Sequence, residues 1–431
     1  MNKLAQELNE ILEGSSAYPF LSQTGRRMYF PKGIVAQSDE AKEKAKLYNA
    51  TVGLATSKGQ PMHLSDIMNV FREGVFKPSD IFNYAPGGGD KALRAIWKEE
   101  MIRKNPSLAD KLTSGCIVTA GLTHTISLMA TLFFDEGDTL VLPDLFWDNY
   151  ELIFSELRGC TLKTFPFFRD GGFNTEAMKE ALMSTASQTV RIILNFPNNP
   201  TGYTPTETEM ASIVAALKEV ADSGKHVLVL CDDAYYGLFF ESDIAKESLF
   251  ASLADAHENI FVIKGDAATK EDMVWGFRIG FVTYASKGLN QAQLSALEKK
   301  TLGAIRCTVS NCDRPGQSML LNAYRNGKNV GRDKAATNEE MCMRYRLIHK
   351  AISRHDSKLL KAYPFNSGYF MAFDTTGHSA EELRVYLLDK YGIGTINIMD
   401  RTLRLAYCSV EQEDLEDLIS RIFQAAEELW S

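Results

Sequence analysis

From about residue 60 to 325, short apolar runs alternate with amphipathic stretches of helical length. The runs CIVTA at 116–120, DTLVLP at 138–143, RIILNF at 191–196, HVLVLC at 226–231, NIFVIK at 259–264 and RIGFVTY at 278–284 predict strands. Several are apolar on both faces, as strands of a largely parallel sheet covered by helices should be. Between them, THTISLMATLFF, TETEMASIVAALKEVADSG and a shorter piece near 248–256 predict helices. The alternation is a βαβ rhythm, hence an α/β domain with right-handed crossovers. After Ala304 the pattern changes to a long helical stretch over roughly 313–357, a strand YFMAF at 369–373, a helix at 379–391, a strand LRLAY at 403–407 and a terminal helix. This predicts a smaller α+β domain. The expected division is an N-terminal arm with part of the small domain at 1–60, a large domain at 61–325 and a C-terminal small domain at 326–431. Without repeats or flexible linkers, the domains should pack rigidly.

The first residues, MNKLAQELNEILEGSS, place Leu4, Leu8, Ile11 and Leu12 at helical spacing, which predicts an amphipathic helix and not a signal peptide. No apolar run approaches the roughly 18 residues of a membrane-spanning helix. A net charge of −8 over 431 residues offers no basic excess for nucleic acid or an acidic membrane. It leaves room for one small anionic ligand held by a few arginines. The seven cysteines are scattered, with no CxxC pair, so the chain reads as one for a reducing, cytoplasmic compartment, without a disulfide framework or a metal site.

Open α/β sheets bind ligands beyond the carboxyl ends of their strands, so the chemistry should lie in the residues that follow each run. After CIVTA, Gly121, Leu122 and Thr123 open a helix whose free N–H groups make an anion seat. After DTLVLP comes Trp147, a plate for a flat ring, and then Tyr150. After RIILN, the turn FPNNPTG presents the Asn199 amide. After HVLVLC come Asp232, Asp233 and Tyr235, and a carboxylate there is costly unless it meets a cation or a hydrogen bond. After NIFVIK comes GDAATKEDMVWGFRIG, with Lys270 and Arg278. On its own, Lys270-Glu271-Asp272 is a charged surface turn. Beside the other post-strand residues it becomes an amine among an acid, a phenol, an amide, an aromatic plate and an anion seat. That set matches the needs of pyridoxal 5′-phosphate. An amine of lowered pKa condenses with the aldehyde, a buried carboxylate keeps the pyridine nitrogen protonated, and arginine with a helix N-terminus holds the phosphate.

The order and spacing resemble the class I/II aminotransferases, within the fold type I pyridoxal-phosphate enzymes, and among them the aspartate/aromatic branch. The motifs are NPTG at 199–202, DxAY at 232–235 and KxxxxxGxRxG at 270–280. The resemblance implies a mostly parallel sheet sandwiched by helices, a smaller α+β domain and a homodimer. It makes Lys270 the catalytic lysine and Asp232 the partner of the pyridine nitrogen. Tyr235 and Asn199 would bind the ring oxygen, Trp147 would stack on the ring, and Tyr150 would support the aspartate. Arg278, Thr123, the Gly121 and Leu122 amides and Tyr84 of a second subunit would hold the phosphate. Arg404 would grip the substrate α-carboxylate with Gly53 beside it, and Arg306, from across the dimer, a distal carboxylate. The implied reaction moves an amino group between an L-amino acid and a 2-keto acid in two half-reactions. A lyase or decarboxylase on the same fold is the alternative. A dinucleotide oxidoreductase lacks its GxGxxG, and a non-catalytic homologue would leave these side chains without work. The chain departs from the family at Ala120 and Ala267, where hydroxyls often touch phosphate, with Thr123 and Thr269 placed to compensate. Asp266 adds a carboxylate near the same seat.

Overall fold

A computed structural model describes residues 1–29 and 33–431. The six apolar runs form strands Ile117–Thr119, Thr139–Pro143, Thr189–Asn195, His226–Asp232, Ile260–Ala267 and Gly280–Ala285. A seventh, Thr161–Phe165, lies at the sheet edge, where Lys163 and half-exposed neighbours give it no apolar run for a sequence reading to find. The sheet runs in the order Ile117–Thr119, Gly280–Ala285, Ile260–Ala267, His226–Asp232, Thr189–Asn195, Thr139–Pro143, Thr161–Phe165. Its pairs are parallel except around Gly280–Ala285, which is antiparallel to both neighbours. The register sets Asp232 beside both Asn195 and Gly265, so the acid and the amide emerge together at one carboxyl edge.

Helices cover both faces. Leu122–Phe133 packs where Gly265 leaves room: a Cβ there would sit 2.7 Å from the Leu122 side chain. On the opposite face Trp97 of helix Lys91–Lys104 stacks on Phe281 with centroids 4.0 Å apart. Helix Glu207–Asp222 follows its pattern closely: Thr206 and Glu209 form a capping box, and Met210, Ile213, Leu217 and Val220 turn inward. Helices Lys91–Lys104 and Gln291–Thr308 were not predicted, because charged residues interrupt the spacing of their few buried positions.

The predicted helix at 313–357 is two helices, Pro315–Asn326 and Val330–Ile352. Asp66 makes the break: its carboxylate accepts from the Asn329 N–H at 2.6 Å and lies 2.7 Å from where a Cβ on Gly327 would stand. Beyond them, Lys361–Ala362, Phe370–Asp374, Thr402–Ala406 and Ile396–Ile398 form an antiparallel four-stranded sheet. The N-terminal segment joins it, since Tyr48–Asn49 pairs with Ile393–Gly394 and the Ala406 N–H donates to Ala50 O at 2.8 Å. The first helix, Lys3–Leu12, carries its apolar stripe outward, with Ile11 77% exposed and Ala5 and Asn9 the residues it buries. Among the described residues no helix is long and apolar enough to cross a membrane, and no group of three or more metal-ligating side chains gathers.

Candidate active site

Five strand ends and the turns after them enclose a cavity of about 110 Å3, lined by Leu122, Thr123, Trp147, Asn195, Asn199, Asp232, Ala234, Tyr235 and Lys270. The triplet at 270–272 is therefore no surface turn: Lys270 faces the cavity and Asp272 is fully buried. The Lys270 amine lies 4.8 Å from the centroid of the Tyr235 ring. Burial pushes it down to about 8, with Arg278 adding to the fall and Asp232 opposing it. Asp232, 3% exposed, is pushed up to about 6 by burial, against the Tyr150 hydrogen bond and the charge of Lys270.

Asp232 is held from three sides. The Tyr150 hydroxyl donates to Oδ2 at 2.5 Å, the Ala234 N–H donates to Oδ1 at 3.1 Å, and the Asn195 amide donates to the backbone carbonyl at 2.8 Å. Asn195, which the sequence reading passed over although it ends a strand, also accepts from the Asn199 N–H at 2.7 Å and so fixes the turn. The Asn199 side-chain oxygen accepts from Arg404 Nη1 at 2.9 Å, which turns its NH2 group away from the arginine.

Arg404 is 2% exposed and brings the small sheet to the cavity. Its Nη2 donates to Thr51 O at 2.9 Å, its guanidinium lies 4.3 Å from the centroid of Phe370, and its buried Nε has no partner among the described residues. An unpaired buried donor is costly unless a ligand completes it, and a carboxylate is the natural complement of a guanidinium edge. Gly53 stands beside it because nothing larger fits: a Cβ there would lie 2.6 Å from Phe370 and 3.5 Å from the Tyr235 hydroxyl. Trp275 Nε1 holds the Gly53 carbonyl at 3.2 Å. Neither Phe370 nor Trp275 carried a sequence signal, since each reads as a core aromatic.

The anion seat forms at the helix after Ile117–Thr119. Gly121 has φ +83°, and a Cβ on it would stand 2.6 Å from Arg278 Nη2, so the guanidinium lies directly over the helix entrance. Arg278 is itself at φ +54° and donates to Trp275 O at 3.1 Å. One expectation needs correcting. The Gly121 N–H donates to Thr119 O at 2.9 Å and is spent, while those of His124 and Thr125 turn back to Gly121 O. Among the described residues, the amides of this entrance left open to an anion are those of Leu122 and Thr123. Asp266 does not crowd the seat, because Trp97 Nε1 donates to it at 3.2 Å and Lys264 lies 3.3 Å from it on the other face of the sheet. Ala120 leaves its N–H to His124 Nδ1 at 3.0 Å. Substituting Gly121→Ala should weaken inorganic phosphate binding by roughly tenfold, since it displaces one charge-assisted contact and strains a left-handed residue. Titration of the cofactor-free protein with phosphate checks this, and unchanged affinity would place the anion elsewhere.

Of the expected residues, Gly53, Gly121, Arg278 and Arg404 stand around this cavity without lining it, and Tyr84 and Arg306 stand at exposed positions. Tyr84 is 88% exposed, and Arg306 is exposed on the last turn of Gln291–Thr308, its Nη1 donating to the Ser310 hydroxyl.

Comparison with known proteins adds to this geometry. Residues 52–422 match the family described as aminotransferase class I and II. A probable aspartate/prephenate aminotransferase of Aquifex aeolicus is 26% identical over 273 residues, a stretch that spans 62% of this chain and 64% of that relative. An aminotransferase of Anaerococcus prevotii superposes with a TM-score of 0.82 at 25% identity, covering 93% of this chain and 98% of that one. The kynurenine aminotransferase of Pyrococcus horikoshii, solved in complex with PMP, shares the fold with a TM-score of 0.80 at 18% identity, over 97% of this chain and 99% of that one.

Proposed function

The chain belongs to the class I and II aminotransferases, and on that premise we propose that it transfers an amino group between an L-amino acid and a 2-keto acid, with pyridoxal 5′-phosphate as cofactor. The observation that carries this reading is the meeting of Lys270, Asp232, Tyr235 and Asn199 in one cavity, with a glycine-lined anion seat at one side and the unpartnered Nε of Arg404 at the other. The donor set fits the cofactor: an amine for its aldehyde, a carboxylate for its ring nitrogen, a phenol and an amide for its ring oxygen, and a guanidinium with helix amides for its phosphate. When bound, the cofactor supplies an aldehyde to take the amino group and a ring to take up the electrons left at Cα.

The side chains do the rest. Arg404 binds the α-carboxylate and so orients the amino acid over Lys270. Lys270 Nζ takes the Cα proton and keeps it inside the cavity, which its lowered pKa permits near neutral pH. Asp232, buttressed by Tyr150, stands to hold a proton at the ring nitrogen. Trp147, in the cavity wall, excludes water from one side.

The finer reading is a cytoplasmic homodimer divided near residues 60 and 325. The exposed Tyr84 and Arg306 support the dimer, as side chains that do not line the cavity of their own chain. The break between Pro315–Asn326 and Val330–Ile352 supports the second boundary. The donor we propose is aspartate, glutamate or an aromatic amino acid, with Arg306 of a second copy deciding among them. The test incubates the cofactor-loaded protein with each donor and 2-oxoglutarate and follows both products. Arg306→Ala should cut kcat/KM for dicarboxylic donors by about 10- to 100-fold, the worth of one charge-assisted contact, and leave aromatic donors near wild type. Ammonia release without a keto-acid acceptor would overturn aminotransfer in favour of a lyase.

A further inference from the structure

Lys270 sits in a poor local support. Its helix, Ala268–Glu271, has four residues and no side-chain cap, and Met273 just beyond is left-handed at φ +54°. So short a helix does not hold itself. Its anchorage is ionic. Lys104 reaches both Glu271 oxygens at 2.6 and 2.8 Å from one side. From the other, Lys334 meets Glu271 at 3.1 Å and Asp272 at 2.7 Å, and Tyr324 donates to the same Asp272 oxygen at 2.9 Å.

A second buried cluster lies behind Asp232. Lys264 pairs with Asp233, the next residue on the chain, and with Asp266, four residues before Lys270. Ser248 donates to Asp233 at 2.6 Å. Two aromatic rings join the clusters: Trp97 donates to Asp266 and carries Lys104 5.0 Å from its centroid, while Tyr236 lies under both Lys104 and Lys264. Four carboxylates thus face three ammonium groups, with Lys264, Asp233, Asp266 and Asp272 buried and Lys104, Lys334 and Glu271 half-buried.

We infer that Lys104, Lys264 and Lys334 are positioning residues, which through this continuous, largely buried network set where the Lys270 amine stands relative to Asp232. The inference rests on the aminotransferase reading for what those two groups do. Stability alone is a weak account of the network, because buried ion pairs seldom outperform apolar packing of the same volume. What charged groups supply is one allowed geometry. The long helix Val330–Ile352 extends the device: Lys334 near its start clamps the lysine turn, while Arg344 further along donates to Cys408 O and Thr56 O, both at 2.7 Å, next to the segments that carry Arg404 and Gly53. One rigid rod therefore references both the amine and the carboxylate-binding arginine. Burial pushes Asp272 up while the two lysines hold Glu271 down against burial, so Lys334 is the cation that these two carboxylates share. Asp232, Arg278 and the Tyr235 ring are the groups that face the amine itself.

The test compares Lys334→Met, Lys334→Arg and the isosteric Tyr324→Phe in the full chain. The first readout is the pH dependence of Lys270 acylation by a small reagent in the cofactor-free protein, followed by mass spectrometry. The second is the split of kcat and KM for the amino donor. Lys334→Met should shift the labelling midpoint from its wild-type position, because the turn that fixes the amine relative to Asp232 loses the cation shared by Glu271 and Asp272. It should lower kcat about tenfold, as a small misplacement of a reacting group does, with KM nearly unchanged. Lys334→Arg should restore both, and Tyr324→Phe should move both in the same direction by less. A fall in thermal midpoint with labelling and kcat unchanged would overturn the inference. If Lys334→Met does not fold, Tyr324→Phe decides on the same two readouts. Should the wild type show no aminotransfer, that reading fails alone, and the labelling profile still tells whether the network places Lys270.

Discussion

Replacing Lys270 by alanine should lower kcat/KM for amino transfer by about a thousandfold or more, in the range of a positioned general base, while leaving the fold intact. The reason the fold survives is that the amine serves no structural partner. Among the described residues it makes no salt bridge or hydrogen bond, only its approach to the Tyr235 ring. Removing it leaves no hydrogen-bonding group unpaired, and although Asp232 loses a nearby positive charge, it removes a charge that burial disfavours on balance: the folded-state amine, at about 8, lies below its ordinary 10.5. For a base with a depressed pKa the penalty is full below the folded value and gone above the unfolded one. The cofactor-free variant should therefore match or exceed wild-type stability most clearly below pH 8. The same number sets the pH at which the wild type captures its cofactor, since only the neutral amine attacks an aldehyde. Stopped-flow capture by the cofactor-free protein should rise with pH around a midpoint of about 8. A variant that keeps its activity, or a capture rate flat across that range, would return Lys270 to a bystander.

How far the sequence alone carried depended on whether a residue's partner was close along the chain. Lys270, Asp232, Tyr235 and Asn199 were legible because each follows an apolar strand, and the ends of adjacent parallel strands must meet at one edge, while Arg278 leads into the next strand, Gly280–Ala285, which starts from that edge because it runs antiparallel. Arg404 was legible only through a motif, and its use depends on Phe370 and Thr51, which nothing local connects to it. The spent amide of Gly121 was invisible, because a turn of backbone and not a side chain consumed it. The network around Lys104, Lys264 and Lys334 was hidden by sequence separation, since the Lys104–Glu271 pair joins residues 167 apart. Lys264 in particular read as the polar end of an apolar strand and proves fully enclosed. The split of the helix at 313–357 has the same cause: Asp66, some 263 residues from Asn329, decides where it breaks.

Asp232→Asn should separate the cost of burying a carboxylate from its use. Asparagine keeps the volume and an oxygen for the Tyr150 hydroxyl, which now stands 2.5 Å from Oδ2, and removes the charge. In the wild type, burial raises this carboxyl from 3.8 to about 6. For an acid with a raised pKa the folded state prefers the protonated form. The penalty is therefore absent below the unfolded value, grows as pH rises between the two, and is full above about 6. Its size is on the order of 3 kcal/mol at neutral pH, less whatever the Ala234 N–H loses when its acceptor changes. The cofactor-free variant should then unfold at a higher temperature than the wild type near pH 7, with the difference vanishing toward pH 4. A difference independent of pH would assign the effect to shape and not to charge. Activity should move the other way, with kcat falling roughly a hundredfold as the group that holds a proton at the ring nitrogen disappears, the rate equivalent of about 3 kcal/mol. Cofactor capture supplies a third readout. Asp232 is what holds the Lys270 amine up against burial, so its midpoint should fall below about 8 in the variant. A protein that becomes more stable, captures its cofactor at lower pH and turns over more slowly would identify the buried charge of Asp232 as a cost that the fold carries for the sake of the reaction.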